Sequence, residues 1–329
     1  LCTCLVTAAA FAATTISASA CTTIYVGGDL VEEGTPFVAR TEDYGSDYNK
    51  LWFISESGKW KQGDHYVGCP EYGPFEWDFT HDSYRFTYFT NDIYYDGICP
   101  ECGEKADHYS YTEFGTNEKG VSVSATETLY GNEKVTEADP TRDAEWAEAN
   151  KSERIGIEEN DIPTIILAEA SSAREGVKLL LDIYENYGCV AASGVFVCDK
   201  DEVWYVENCS GTQYVAIKLN NMIFLEPNMA VIGRIDLDDE NVIASKDLIA
   251  VAKKAGTFVG DEAKNIIDFR ASYARISEKM DQRMIDGLNY LNAAYKYDSD
   301  ALVADNTKFT ISNLDASDKL VALYTNIKA

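Results

Sequence analysis

The sequence predicts an α+β domain in which helices cover antiparallel sheets. Short β-branched segments separated by turn residues open the chain, a long helical pattern follows, and a strand meander and further helical patterns come last. Because strands and helices are grouped along the chain, alternating βαβ units are disfavoured. The 329 residues, 46% of them hydrophobic, are enough for one large domain or two ordinary ones.

The first strands are predicted from β-branched residues next to glycine or proline. Residues 21–27 (CTTIYVG) predict a strand that ends at a turn, and residues 36–41 (PFVART) predict the strand that pairs back with it in a hairpin. In residues 120–128, small or polar residues alternate with valine, which predicts a third strand.

The second half of the chain combines helical patterns with a meander. Residues 163–187 begin with a proline suited to a first helical turn, carry an apolar face at helical spacing and stop at Gly188, so they predict one helix. Three short strands are predicted at 194–198, 203–207 and 214–219, and amphipathic helices at 241–255 and 263–279.

The charge of the chain excludes some classes of partner. With 28 Lys and Arg against 55 Asp and Glu, the formal net charge is −27. Such a surface repels a phosphate backbone and anionic lipid, so we expect no nucleic-acid partner and no peripheral membrane attachment. After residue 20, no segment is apolar for long enough to span a bilayer.

Residues 1–20 have the composition of a signal peptide. They contain no charged residue and end in Ala18-Ser19-Ala20, a small-x-small pattern that suits signal peptidase. We therefore expect a secreted protein whose mature chain starts at Cys21, with the given sequence beginning inside the leader. A buried N-terminal helix is one alternative. A lipoprotein is another, although Ala18 stands where an aliphatic residue is expected.

Residues 60–115 read as an irregular insertion rich in aromatic residues. The segment contains all three histidines of the chain and three of its nine cysteines: His65, His81, His108, Cys69, Cys99 and Cys102. The last two form a C-x-x-C pair, which is common zinc-ligand spacing but lacks a second such pair here. Disulfides, free thiols and a zinc site all remain open for this segment.

Three further cysteines lie close together in strand-like sequence. Cys189, Cys198 and Cys209 fall within 21 residues, and spacing alone gives no pairing among them. In an oxidising compartment, the even number of cysteines that remains beside Cys21 favours disulfides.

Cys21 is a candidate nucleophile because leader removal would free its α-amine. A thiol is mostly protonated at neutral pH and needs a base, and an α-amine with a pKa of about 8 can act as one. One residue would then supply both nucleophile and base without a histidine. The alternative is that Cys21 is merely the first residue after cleavage.

The sequence around and after Cys21 resembles the dipeptidase A family of cysteine peptidases. This family belongs to the N-terminal nucleophile hydrolase superfamily and is related to choloylglycine hydrolases and penicillin V acylases. The resemblance runs in order from residue 21 to about residue 280. It is carried by the segments CTTI (21–24), ARTEDYG (39–45), FGTNEKGV (114–121), SATET (124–128), AEASSAREG (168–176), WYVE (204–207) and IGRIDL (232–237).

The resemblance implies a four-layer αββα sandwich and four catalytic positions. Cys21 matches the nucleophile, and Arg40 and Asp43 match the family's Arg-x-x-Asp. Arg40 would favour the thiolate, while Asp43 would hold the ammonium end of Cys21. Asn228 matches an asparagine whose amide donates to the oxyanion of the tetrahedral intermediate. The alternatives are a hairpin ion pair for Arg40 and Asp43, and a turn residue for Asn228.

Two further residues are candidates for substrate binding. Glu127 falls where bile-salt hydrolases carry another oxyanion-side asparagine. An ionised carboxylate has no proton to donate to an oxyanion, so we expect Glu127 to bind the α-ammonium of a small peptide instead. Arg270 is a weaker candidate for a site arginine, with a surface ion pair on a helix as the alternative.

These observations predict a secreted cysteine dipeptidase that acts on small peptides and needs no metal or organic cofactor. One alternative is an amidase of the same fold that acts on bile-salt conjugates, penicillin V or acyl-homoserine lactones. Another is an acidic extracellular binding domain stabilised by zinc. We expect one hydrolase domain from residue 21 to 329, incomplete at its C-terminus, and a homo-oligomer is compatible with it.

Overall fold

The computed structural model describes residues 21–31, 34–42, 50–68, 75–91, 112–127, 129–220, 222–276 and 281–291. Its strands are β1 (Thr22–Val26), β2 (Phe37–Thr41), β3 (Lys50–Ser55), β4 (His65–Val67), β5 (Glu76–Asp78), β6 (Phe86–Asn91), β7 (Phe114–Asn117), β8 (Ser122–Glu127), β9 (Ser193–Cys198), β10 (Val203–Asn208), β11 (Tyr214–Leu219), β12 (Ile223–Glu226), β13 (Arg234–Asp236), β14 (Val242–Ala244), β15 (Gly260–Asp261) and β16 (Ile266–Asp268). Its helices are α1 (Glu133–Ala138), α2 (Ala144–Asn150), α3 (Asp161–Glu169), α4 (Ala173–Asn186), α5 (Leu248–Ala255), α6 (Phe269–Tyr273) and α7 (Gln282–Leu291).

Two antiparallel sheets organise the described part of the chain. The large sheet has eight strands in the order β14-β11-β10-β9-β8-β7-β6-β3. The small sheet has the order β12-β1-β2, so the first strand of the fold lies between a hairpin partner and a strand about 200 residues later in the chain. A second three-stranded sheet (β13-β16-β15) and the hairpin β4-β5 lie outside these two.

The sheets and helices stack in the order α-β-β-α. Phe224 of β12 packs against Phe196 of β9 and Tyr205 of β10, with ring centroids 5.5 and 4.6 Å apart, which fills the space between the two sheets. The next residue, Leu225, points the other way and lies against Gly287 of α7. Helices α3 and α4 cover the outer face of the large sheet with a second apolar core. The predicted α+β class and layer order are confirmed.

Most predicted strands are confirmed, but the helix expected at 163–187 is two helices. The hairpin β1-β2, the strand β8 and the meander β9-β10-β11 form as expected. The helical run breaks because Ala170 is extended and Ser172 starts a new helix by accepting a hydrogen bond from the backbone N–H of Glu175. The apolar periodicity continues across the break and conceals it.

The two C-terminal helices were also predicted too long. Residues 241–255 form the short strand β14 before α5, because the β-branched Val242 and Ile243 pair with β11. Residues 263–279, predicted as one helix, contain β16 followed by the short helix α6. Ile266 and Ile267 pair with β13 there, so tertiary pairing overrides the local helical pattern.

The segment 60–115 is only partly described. Its described residues form β4, β5, β6 and the start of β7, and β6 and β7 belong to the large sheet. The extent of an insertion and the domain boundaries remain predictions. Cys69, Cys99, Cys102 and His108 lie outside the described residues. Among the described helices, none combines the length and apolar character needed to cross a bilayer.

Candidate active site

The register of the small sheet places the candidate residues on one face. Thr23 of β1 lies opposite Arg40 of β2 and opposite Glu226 of β12. Directly opposed residues share a face, and so do residues two apart on a strand, so Cys21 joins this row. Tyr25 and Phe224 continue the same face into the core between the sheets. The site therefore lies between the two sheets, where the apolar packing ends.

Arg40 is held in place from two sides. Its Nη2 donates to Sγ of Cys21 at 3.2 Å, while its Nη1 donates to the carbonyl oxygens of Ala125 at 2.7 Å and Glu113 at 3.2 Å. Ala125 lies in β8 of the large sheet, and Glu113 directly precedes β7 of the same sheet. The guanidinium thus connects the two sheets, and its position beside the sulfur is fixed by backbone groups.

Burial and charge act in opposite directions on the Cys21 thiol. The residue is 4% exposed, and burial raises the pKa of its thiol above the usual value. The positive charge and hydrogen bond of Arg40 lower that pKa, while the carboxylates of Glu159 and Glu42 raise it. Because burial dominates, the thiol is mostly protonated at neutral pH and needs a base to react.

A carboxyl pair lies behind Arg40. Glu42 and Glu113 are hydrogen-bonded to each other, and Lys50 Nζ lies 2.6 Å from Oε1 of Glu113 and also contacts Glu42. Burial and the neighbouring Glu42 raise the pKa of Glu113 to about 8, while the pKa of Glu42 is lowered. A hydrogen bond between two carboxyl groups needs a proton, so the pair shares one proton.

Asn228 follows β12 in a left-handed conformation, with a φ of 54°. Asparagine tolerates this region better than most residues other than glycine. Both polar atoms of its side chain, Nδ2 and Oδ1, are buried and have no hydrogen-bond partner among the described residues. Buried amides are normally paired, so this unpaired amide is a donor left available for a ligand.

Arg283 is a site residue that the sequence did not reveal. From α7, its Nη1 donates to the carbonyl oxygen of Cys21 at 2.7 Å and to Oγ1 of Thr22 at 3.1 Å. Its Nη2 donates to the carbonyl oxygen of Pro227 at 3.2 Å and forms an ion pair with Asp281. Nothing in the local sequence marks this arginine, because it is one of two charged residues on an amphipathic helix.

The other predicted site residues have different outcomes. Asp43 lies outside the described residues. Glu127 ends β8 opposite Ser193, and its side chain is not described, so its role stays a prediction. Arg270 is 2% exposed, which shows that the surface ion pair considered for it is wrong. Burial lowers the pKa of the Arg270 guanidinium, and the carboxylate of Glu207 opposes that shift.

The expectation of disulfides among Cys189, Cys198 and Cys209 is wrong, because all three are free thiols. Cys189 belongs to the core under α3 and α4, whereas Cys209 belongs to the core between the two sheets. Cys189 instead donates to the carbonyl oxygen of Ser210 and accepts from Nδ2 of Asn208 at 2.8 Å.

Comparisons with known proteins agree with this geometry. The model of Peptidase family C69 matches residues 20–300. "Probable dipeptidase B" of Streptococcus pyogenes serotype M6 is 32% identical over 247 residues, which are 74% of this chain and 44% of that protein. The "Probable dipeptidase" of Salmonella dublin is 32% identical over 262 residues, 78% of this chain and 53% of that protein. The chain spans about half the length of these relatives.

Solved structures give a more distant likeness. Penicillin V acylase from Agrobacterium tumefaciens has a TM-score of 0.34 at 13% identity, with 93% of this chain and 72% of that chain covered. The C2A mutant of conjugated bile acid hydrolase from Clostridium perfringens has a TM-score of 0.30 at 12% identity, with 94% and 78% covered. The assignment rests on the family match and the dipeptidase relatives: the chain belongs to Peptidase family C69.

Proposed function

We propose that this protein is a cysteine dipeptidase whose nucleophile is Cys21. The observation that carries the proposal is the 3.2 Å contact between Sγ of Cys21 and Nη2 of Arg40 at the start of β1. A cation fixed beside a buried thiol favours the thiolate, which is the form that attacks a carbonyl. Membership of a peptidase family and the dipeptidase relatives support the substrate class.

The base in this proposal is the α-amine of Cys21, freed when residues 1–20 are removed as a signal peptide of a secreted protein. The amine takes the thiol proton, and the thiolate attacks the carbonyl carbon of the peptide bond. The tetrahedral intermediate collapses, the C–N bond breaks, and the ammonium gives its proton to the departing amine. Water then attacks the thioester while the amine accepts its proton, and breaking the C–S bond restores the thiol.

The described residues supply charge stabilisation for these steps. Asn228 Nδ2 is a buried donor without a described partner, so it can donate to the oxyanion of the tetrahedral intermediate. Arg40 stabilises the thiolate as it forms and when it leaves the acyl group. Asp43 would hold the ammonium form of the Cys21 amine.

Glu127 would select peptides with a free amino terminus. In a dipeptide, the α-ammonium is attached to the carbon next to the scissile carbonyl, so an anion near the nucleophile can bind it. Glu127 ends β8, two residues after Ala125, whose carbonyl oxygen binds Arg40. A strand end beside the Arg40 contact is a suitable position for such an anchor.

The test uses the exported, processed protein, with intact mass and N-terminal sequencing to establish that it starts at Cys21. Hydrolysis of dipeptides should be abolished by Cys21→Ala and kept by the matched control Cys198→Ala. N-acetylated dipeptides should be poor substrates for the wild type, and Glu127→Gln should reduce that preference. Faster cleavage of acylated amides than of dipeptides would favour the amidase alternative. A chain that starts elsewhere, or a Cys21 with an acylated amine, would contradict the mechanism.

A further inference from the structure

We propose that Glu159 is a substrate-binding residue whose carboxylate holds the α-ammonium of the peptide beside Cys21. The inference rests on the proposed function, in which Cys21 attacks the peptide bond that follows the first residue of a dipeptide. Three features of Glu159 carry it: its distance from the nucleophile, the exposure of its side chain, and the contacts that hold the backbone around it.

Glu159 and Cys21 contact the same guanidinium nitrogen. Nη2 of Arg40 lies 3.2 Å from Sγ of Cys21 and 3.8 Å from Oε1 of Glu159. The sum of these distances limits the separation of the carboxylate oxygen and the sulfur to at most 7.0 Å. The two contacts therefore place a carboxylate within about the length of one dipeptide from the nucleophile.

The α-ammonium of a bound dipeptide falls within reach of this carboxylate. Its nitrogen is about 2.5 Å from the scissile carbonyl carbon, because only Cα lies between them. The sulfur approaches that carbon to about 3 to 3.5 Å before attack, so the ammonium lies at most about 6 Å from the sulfur. A charge-assisted hydrogen bond adds about 2.8 Å, which gives a limit of about 9 Å for an anchoring oxygen. Oε1 of Glu159 lies inside this limit.

Glu159 differs from the other two carboxyl groups near the thiol. Its side chain is 17% exposed, whereas that of Glu113 is 1% exposed. Glu42 and Glu113 share one proton and both contact Lys50, so these three side chains together carry no net charge. Glu159 is therefore the better placed of the three to attract a cation from solution. An ammonium has three N–H donors, so it can also bind Glu127 at the same time.

In the absence of substrate, Glu159 opposes the reaction of Cys21. Its negative charge raises the pKa of the thiol, and Arg40 faces two anions once the thiolate has formed. A peptide ammonium bound to Glu159 offsets that charge, so substrate binding makes the thiolate easier to form. A ligand without the amine leaves the carboxylate uncompensated. Glu159 would therefore favour peptides with a free amino terminus in the chemical step as well as in binding.

The backbone on both sides of Glu159 is buried and held. Its neighbours Glu158 and Asn160 are each 6% exposed. The carbonyl oxygen of Asn160 accepts from the backbone N–H of Thr112 at 3.4 Å, and Thr112 directly precedes the residue whose carbonyl oxygen binds Arg40. A carboxylate carried on a fixed backbone needs little reordering when a ligand binds, which lowers the cost of binding.

Glu159→Gln tests the inference with two substrates that differ only in the amine, alanyl-alanine and propionyl-alanine. With the processed enzyme, kcat/KM for alanyl-alanine should fall about 10- to 100-fold, because a hydrogen bond between two charged groups is lost. The kcat/KM for propionyl-alanine should stay unchanged or rise. Alkylation of Cys21 by iodoacetamide at pH 7 should be at least as fast as in the wild type, since a carboxylate that raises the thiol pKa has been removed.

Glu202→Gln is the matched control. The Glu202 side chain is 18% exposed and is paired with Arg174 at 2.7 Å, so its exposure and partner resemble those of Glu159, but it lies outside the site. Its kcat/KM values for both substrates should equal those of the wild type, with thermal unfolding to establish that each variant is folded. Glu159→Asp, which withdraws the carboxylate by one methylene, should change the ratio in the same direction if the glutamine variant does not fold.

Binding without turnover gives the same comparison if propionyl-alanine is cleaved too slowly to measure. In the Cys21→Ala protein, calorimetry should show that Glu159→Gln weakens the binding of alanyl-alanine about 10-fold or more. The binding of propionyl-alanine should stay unchanged.

Two results would overturn the inference. Equal losses with both ligands would mean that Glu159 holds Arg40 or the amine of Cys21 instead of the substrate. A folded Glu159→Gln enzyme that keeps the wild-type preference for the free amine would show that Glu159 does not bind it. Dipeptide hydrolysis by the Cys21→Ala enzyme is a different result, because it would overturn the proposed function and this inference with it.

Discussion

Arg283 donates a 2.7 Å hydrogen bond to the carbonyl oxygen of Cys21, a residue 262 positions earlier in the chain. The same guanidinium donates to the carbonyl oxygen of Pro227, which precedes Asn228. One arginine on α7 therefore connects the strand that begins with the candidate nucleophile to the loop that carries the candidate oxyanion donor. The relative position of those two groups depends on this connection.

Arg283→Ala should lower kcat/KM by about 10- to 100-fold, because hydrogen bonds from a charged donor to both carbonyls are lost. The measurement is dipeptide hydrolysis by the processed enzyme, with thermal unfolding to establish that the variant is folded. Arg174→Ala is the control, because that arginine forms a partly exposed ion pair with Glu202 on the far side of the large sheet. A folded Arg283→Ala enzyme with wild-type kcat/KM would contradict the prediction.

Arg40→Ala should shift the pH dependence of Cys21 alkylation to higher pH. Burial already raises the pKa of this thiol, and Arg40 is the group that lowers it, through its charge and through its hydrogen bond. Removing Arg40 also removes a cation 3.8 Å from the carboxylate of Glu159, so the negative charge of Glu159 raises the thiol pKa further. Alkylation rates measured as a function of pH in wild type and variant, from pH 6 up to the highest pH at which both stay folded, show which protein forms its thiolate at lower pH.

The control for that experiment is Arg85→Ala, which removes a partly exposed arginine paired with Glu56. Its alkylation profile should overlay that of the wild type. A profile for Arg40→Ala at or below the pH of the wild-type profile would show that Arg40 does not stabilise the thiolate.

Cys189 and Cys209 should resist iodoacetamide in the native protein while Cys21 reacts. Both are 1% exposed, and burial raises the pKa of each thiol well above its usual value without an adjacent arginine hydrogen bond. Peptide mapping by mass spectrometry after native labelling identifies which cysteines are modified, and labelling in urea shows that all of them can react. Native labelling of Cys189 at the rate of Cys21 would contradict this prediction.

Cys21 is a candidate nucleophile from its place after the predicted leader, and its role and that of Arg40 are predicted from the resemblance to a known family. The predicted hairpin explains why the two residues lie together. Residues 21–27 and 36–41 have clear strand patterns, and antiparallel pairing of consecutive strands brings Arg40 next to the start of β1. Arg283 reaches the site only through the packing of a helix 260 residues later, and no local periodicity reports such a contact.

The buried carboxyl of Asp161 should make stability depend on pH in a way that Asp161→Asn removes. Asp161 is 1% exposed and accepts a hydrogen bond from the Tyr66 hydroxyl at 2.6 Å, and burial raises its pKa to about 7. The folded state therefore holds a proton that the unfolded state has released between about pH 4 and pH 7, so wild-type stability falls as pH rises through that range. The asparagine amide oxygen can still accept from Tyr66 but carries no charge.

The free energy of unfolding in urea is measured for wild type and Asp161→Asn at several pH values between 4.5 and 7. The difference between the two proteins at each pH isolates the contribution of Asp161. Asp161→Asn should gain stability relative to wild type by up to about 1.4 kcal/mol per pH unit as pH rises, because the other buried acids titrate equally in both proteins. Asp182→Asn on the exposed face of α4 controls for the loss of one negative charge. If the difference stays constant with pH, Asp161 titrates alike in the folded and unfolded chains.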